Sequence, residues 1–158
     1  MTMRRLSTVL AILGLAAFGL AAPAQAAPQG VGCGAEWHGR DGTVRAWQHY
    51  DCGGIELGSS TGNDASWADG VGFEVTRFAA DWASSVMNSG FIGGRDVVAF
   101  YPEAGFGGTR AACLSPNELY ADNLTDNYYP GTQLVVNDRI RSHAWTTADA
   151  CAAGSWLS

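Results

Sequence analysis

The sequence predicts an all-β protein, an antiparallel β-sandwich with at most a short helix near residues 116–122. Short apolar stretches such as Val97–Tyr101 alternate with Gly- and Pro-containing turns, which is typical of antiparallel sheets. The chain also contains an internal repeat, because Trp47 and Tyr101 begin two similar segments 54 residues apart. Self-similarity at a fixed period indicates a duplicated supersecondary unit.

Each copy of the repeat contains an aromatic residue, a side chain to bury five positions later and a glycine seven positions later. These residues are Trp47, Cys52 and Gly54 in the first copy and Tyr101, Phe106 and Gly108 in the second. The spacing predicts a tight hairpin in which the aromatic packs on the side chain that follows the turn. Each glycine is expected where a positive φ or a close approach excludes a Cβ atom.

A second motif closes each half of the chain, at residues 80–85 and 137–142. Its short polar side chains are expected to hydrogen-bond nearby backbone and hold the hairpin in place. Together the paired motifs resemble the two Greek keys of a βγ-crystallin domain. The resemblance implies one domain at residues 43–146, with motif one at 43–90 and motif two at 95–146.

The first 26 residues predict a secretory signal peptide. Arg4 and Arg5 supply a basic start, residues 9–22 are apolar, and residues 24–26 form a small-residue cleavage site. The apolar run is too short and too rich in Ala and Gly for a membrane span. We therefore expect a secreted, extracellular protein that is soluble and monomeric.

The charge balance restricts the partners. The formal net charge of −6 becomes −8 once Arg4 and Arg5 leave with the signal peptide, and the chain has no lysine. Nucleic acids and anionic membranes both require clustered cations, so neither is expected as a partner. Chemistry that depends on a Schiff-base or phosphate-binding lysine is excluded.

Four cysteines remain after export, namely Cys33, Cys52, Cys113 and Cys151. An even number in an oxidising compartment predicts two disulfides. The favoured pairing is one local bridge in each half, Cys33–Cys52 and Cys113–Cys151. The rival pairing joins Cys33 to Cys151 and staples the two ends together.

The remaining elements follow in chain order. We expect an irregular lead-in at residues 27–42, a turn-rich loop at 58–64 and a C-terminal tail at 147–158, tied down by Cys151. A capping box with proline at the first helical position predicts the short helix after Ser115. Besides the two hairpins, strands are predicted at residues 71–76, from 84 to 88, at 109–114 and at 132–136.

Catalytic residues are not expected. Residues 58–62 match the letters of a nucleophile elbow, but that motif works only on a turn between a parallel strand and a helix. The histidines, His38, His49 and His143, have no ligand-like spacing. For His49 and His143, on predicted strands, we favour a hydrogen-bonded surface or semi-buried role.

The βγ-crystallin resemblance raises calcium as a cofactor. The matching positions are Asp81 and Ser84 in the first copy and Asn137 and Asp138 in the second. Arg141 stands where the second copy would need a hydroxyl, and a guanidinium offers no acceptor oxygen. Calcium needs six to eight oxygen ligands, so at most one weak site is predicted.

Exposed loop aromatics are the predicted partner-binding residues: Trp82, Tyr128 and Tyr129. Among small exported proteins of this plan, the chain resembles the metalloproteinase-inhibitor family, which implies a non-catalytic inhibitor of extracellular proteases. Residues 58–69 and 122–132 are the candidate inhibitory loops. The alternatives are a killer-toxin-like antimicrobial protein, against which the acidic charge counts, and a calcium-stabilised structural protein.

Overall fold

The computed structural model describes residues 32–73 and 79–158, and within them the protein is all-β, as predicted. Two antiparallel sheets form a sandwich, one ordered β2-β1-β3-β6 and the other β5-β4-β7. The strands are β1 (Val44–His49), β2 (Gly53–Ser60), β3 (Ser85–Asn88), β4 (Val97–Tyr101), β5 (Ala112–Leu114), β6 (Tyr120–Ala121) and β7 (Ser142–Thr146).

The two halves of the chain have equivalent strand pairings and exchange segments. In the first half β1 pairs with both β2 and β3, and in the second half β4 pairs with both β5 and β7. Strand β6, from the second half of the chain, belongs to the first sheet, where it pairs with β3. In return, Asp64 from the first half forms an antiparallel bridge with His143 in β7 of the second sheet. The halves are therefore interlocked.

One apolar core lies between the sheets. Val44, Val86, Val98 and Phe100 come from both sheets and are completely buried, together with Trp67 and Tyr129 from the connecting segments. Each fully buried side chain of this size contributes roughly 1.5–3 kcal/mol relative to exposure. This shared core fixes the two sheets relative to each other.

The hairpin glycines confirm the prediction made for them. Gly54 has a φ of 76° and Gly108 a φ of 95°, the left-handed region that side chains rarely adopt. A Cβ atom at Gly54 would lie 2.7 Å from Cδ2 of His49. In the second hairpin, the rings of Tyr101 and Phe106 meet edge to face with centroids 5.8 Å apart, although Phe106 remains exposed.

The predicted helix at 116–122 is wrong. Ser115 does cap the segment, since its Oγ accepts a hydrogen bond from the Asn117 amide at 3.1 Å, but only a turn follows. Leu119 has a φ of 69°, which ends any helical path, and Tyr120–Ala121 pair with β3 instead. Tertiary pairing thus overrides the local helix signal.

Several predicted elements differ from the observed ones. Only Ala112–Leu114 form a strand within 109–114, and residues 132–136 contribute a single bridge, between Tyr128 and Val135. A one-turn helix, α1 (Cys33–Glu36), occupies part of the predicted irregular lead-in, and short 3₁₀ turns lie at Leu124–Asp126 and Ala148–Ala150. Residues 71–73 form a bend rather than a strand. Residues 74–76, the remainder of that predicted strand, lie outside the described residues. The predicted signal peptide at 1–26 also lies outside them.

Candidate functional site

Two disulfides brace the scaffold. Cys33 bonds to Cys52 and Cys113 bonds to Cys151, with Cα–Cα distances of 4.8 and 6.3 Å, which excludes the rival pairing. The first bridge ties α1 to the turn between β1 and β2. The second ties the C-terminal tail to β5, where the Leu157 amide also donates to the Cys113 carbonyl at 2.9 Å. The tail is therefore part of the second sheet's edge.

Two buried serines hold the hairpins, as the closing motif predicts. Ser85 Oγ donates to the His49 carbonyl at 2.7 Å and accepts from the Cys52 amide at 3.1 Å. Ser142 makes the equivalent pair of bonds, to the Glu103 carbonyl at 2.6 Å and from the Phe106 amide at 3.1 Å. Each serine thereby fixes the turn of its own hairpin to the strand that closes the motif.

The two closing motifs, residues 80–85 and 137–142, form two loops that cross each other at the junction of the halves, and we call them the acidic loops. The Asp81 amide donates to the Ile140 carbonyl at 3.0 Å, and the Asp138 amide donates to the Ala83 carbonyl at 2.9 Å. Both aspartates have positive φ, 63° and 51°. Each aspartate consequently faces the fifth position of the opposite loop, which is Arg141 for Asp81 and Ser84 for Asp138.

On one side of this crossing, a guanidinium lies where the family resemblance would place a cation ligand. Arg141 Nε lies 2.9 Å from both carboxylate oxygens of Asp81, and its Nη2 lies 2.7 Å from Oδ2. The hydrogen bond and charge of Asp81 raise the pKa of Arg141. An ion pair thus occupies this half of the crossing, and its residues do not fit a calcium ion.

On the other side of the crossing, the side chains supply only a few oxygen atoms that could coordinate a cation. Ser84 Oγ lies 3.5 Å from Asp138 Oδ1, and Asn137 Nδ2 donates to Asp138 Oδ2 at 2.8 Å. Asn137 Oδ1 is a buried acceptor without a hydrogen-bond donor. Among the described residues no group of three or more His, Cys, Asp or Glu side chains converges on one point. This half fits a cation only if backbone or water oxygens complete the shell.

Trp82 stands beside an apolar groove. Its side chain is half exposed, and with Ile55, Leu57 and Ala80 it lines a depression of about 500 Å³. Tyr128 is also half exposed, as predicted. The prediction for Tyr129 is wrong, because its ring is fully buried and its hydroxyl lies 3.4 Å from the Arg139 carbonyl. Burial raises the pKa of Tyr129.

His143 is a core residue rather than a surface one. Trp67 Nε1 donates to His143 Nδ1 at 2.8 Å, and His143 Nε2 lies 3.0 Å from the Gly62 carbonyl, so the proton resides on Nε2. Burial lowers the pKa of His143 to about 4. Ser59 and Ser60, which belong to the segment that matches the nucleophile-elbow motif, lie within β2 and not on a strand-to-helix turn.

Sequence reasoning missed two adjacent exposed apolar side chains, Phe91 and Ile92, on the loop between β3 and β4. The sequence did contain a signal for this exposure, because glycines at positions 90, 93 and 94 flank two adjacent large apolar residues. Large apolar side chains between turn residues have no local core to enter, which is a sign of a contact surface.

No protein-family model matches this chain, and no curated protein matches it either. Among the described residues, no helix has both the length and the apolar character that crossing a bilayer requires.

Proposed function

We propose that this chain is an exported, non-catalytic binding protein that inhibits an extracellular endopeptidase. The observation that carries the proposal is the set of large apolar side chains exposed on loops and turns of a doubly disulfide-bonded β-sandwich. These are Tyr50, Val71, Trp82, Phe91, Ile92, Phe106 and Tyr128. Large aromatic and aliphatic side chains exposed on loops are typical anchors of a protein-binding surface.

The rigidity of the scaffold supports inhibition in particular. Loops held by disulfides and by the Ser85 and Ser142 hydrogen bonds lose little conformational entropy when they bind. A preorganised loop can remain in a protease cleft without being drawn into the geometry that cleavage requires.

The pairings also support the proposed relation to βγ-crystallins. Two halves with matching strand pairings, exchanged segments and crossed acidic loops are what two fused Greek keys require. If the chain is related to the βγ-crystallins, a calcium-stabilised structural role is the second candidate function. Asn137, Asp138 and Ser84 favour it, whereas the ion pair of Asp81 with Arg141 opposes it.

The test is a titration of the purified exported protein against zinc and serine endopeptidases, with residual activity measured on a fluorogenic peptide. Stoichiometric inhibition of one class is expected. If every protease retains its activity and the protein is degraded, the inhibitor proposal is wrong. Calcium-dependent thermal melting in the same preparation would then favour the structural role.

A further inference from the structure

A cleft lies beside the C-terminal tail, on the outer face of the second sheet. Val98 and Phe100 of β4 belong to the core between the sheets, so Ala99, which lies between them in the strand, is on the opposite face. There Ala99 and Ala111 line a cleft of about 400 Å³ together with residues of the tail, among them Cys151. This volume is in the range of small-molecule binding sites.

The equivalent place in the first half of the chain is filled by large side chains. The 54-residue repeat relates Arg45 in β1 to Ala99 in β4. Arg45 lies opposite Met87, which is completely buried in one cluster with Trp47, whereas Ala99 lies opposite Ala144. The second half therefore has two methyl groups where the first half has two long side chains, which leaves room on this face for the cleft.

The tail beside the cleft is held at several points. Cys151 is bonded to Cys113 in β5, and the Cys113 amide donates to the Ser155 carbonyl at 2.7 Å. The 3₁₀ turn Ala148–Ala150 comes directly before this disulfide and carries Asp149. The cleft is therefore already formed in the free protein, and a ligand spends little binding energy on ordering it.

Two opposite charges line the cleft. Arg110 reaches it from the segment before β5, and Asp149 reaches it from the tail. Among the described residues neither side chain forms an ion pair, although the chain is strongly acidic. A hydrogen bond from the Thr147 side chain lowers the pKa of Asp149, and a guanidinium is always protonated, so both charges are present at neutral pH.

This charge pattern selects among small ligands. A simple anion would be attracted by Arg110 but repelled by Asp149 and by the net charge of −8 of the exported chain. A simple cation would be attracted by Asp149 but repelled by Arg110. A molecule that carries both charges finds a partner for each of them.

The rest of the lining favours a ligand with an apolar part. The ring of Tyr101 lines the cleft and is held edge to face against Phe106, with centroids 5.8 Å apart. The methyl groups of Ala99 and Ala111 and the disulfide at Cys151 add further apolar surface. An aliphatic side chain placed here would leave water at a gain of roughly 25 cal/mol for each Å² buried.

We propose that this cleft binds a small zwitterion, an apolar amino acid or dipeptide, with its carboxylate at Arg110 and its ammonium group at Asp149. The inference does not depend on the inhibitor function, because the cleft shares no residue with the exposed apolar side chains that carry that proposal.

The experiment is a calorimetric and NMR titration of the exported protein, disulfides intact, with the dipeptide leucyl-leucine. Its N-acetyl form, which lacks the ammonium group, and its amide form, which lacks the carboxylate, are titrated in parallel. The variants are Arg110→Gln and Asp149→Asn. The matched controls are Arg95→Gln and Glu118→Gln, which neutralise exposed charges outside the cleft. Circular dichroism establishes that all variants are folded.

The expected result is that the parent protein binds leucyl-leucine and that each cleft variant weakens this binding at least about ten-fold, because one charged contact is lost. Each blocked peptide should bind the parent more weakly by a similar factor, and the control variants should bind like the parent. No binding by the parent up to about 10 mM dipeptide would overturn the proposal. Equal affinity for blocked and unblocked peptides, or affinity that both cleft variants retain, would overturn it as well. None of these outcomes changes the protease titration, so the two proposals fail separately.

Discussion

Acid should destabilise this protein through His143. The imidazole is fully buried and neutral, it accepts a hydrogen bond from Trp67, and its Nε2–H donates to the Gly62 carbonyl. The rings of Phe73 and Phe100 lie around it, with centroids 5.3 and 6.4 Å away. Protonation would place a charge among these rings and would remove the acceptor that Trp67 uses.

The magnitude follows from the shifted pKa. Burial lowers the pKa of His143 from 6.5 to about 4, so the folded state binds its proton less readily than the unfolded chain does. The stabilisation that the neutral ring provides is complete above pH 6.5 and is lost as the pH falls towards 4. Across that window, linkage gives a loss of about 3 kcal/mol in the free energy of unfolding.

The assay is urea unfolding at pH 7.5 and pH 4.0 with the disulfides intact, on the parent protein and on His143→Gln. Glutamine can accept from Trp67 and donate to Gly62, but it does not titrate. Asp64 and Glu56 have raised pKa values, mainly through desolvation by burial, and oppose the histidine effect equally in both proteins. The parent should lose about 3 kcal/mol more than the variant. Equal losses would refute the reasoning.

Three further predictions concern the braces of the scaffold. Arg141→Ser should bind calcium at least about ten-fold more tightly by titration calorimetry, because a calcium ion needs an oxygen ligand at this position and a guanidinium supplies none. Unchanged affinity would contradict this explanation of why the second copy does not bind calcium. Replacing both Cys113 and Cys151 by alanine should lower the free energy of unfolding by about 4 kcal/mol in urea, since 38 residues separate them. Ser142→Ala should cost about 1–3 kcal/mol by the same measurement, and Ser85→Ala is its matched partner; a cost near zero in both would mean that the serines do not hold the hairpins.

Local patterns in the sequence predicted the parts of the fold that depend on nearby residues. The aromatic-to-glycine spacing gave both hairpins, because a residue such as Gly54 is required wherever a turn crowds out a Cβ atom. The favoured disulfide pairing was also correct, since each bridge joins segments within one half. The helix after Ser115 failed because β3 competes for the same backbone, which no local signal reveals.

The sequence by itself determined that the chain is all-β and built from a repeat, and that it contains no lysine. These properties follow from composition and short-range periodicity. Only the tertiary structure decided that Tyr129 and His143 are buried, that Arg141 forms an ion pair with Asp81, and that Phe91 and Ile92 are exposed. The reason is physical: whether an aromatic side chain is covered, or which charge an aspartate meets, depends on segments about 60 residues away in the chain that only folding brings into contact.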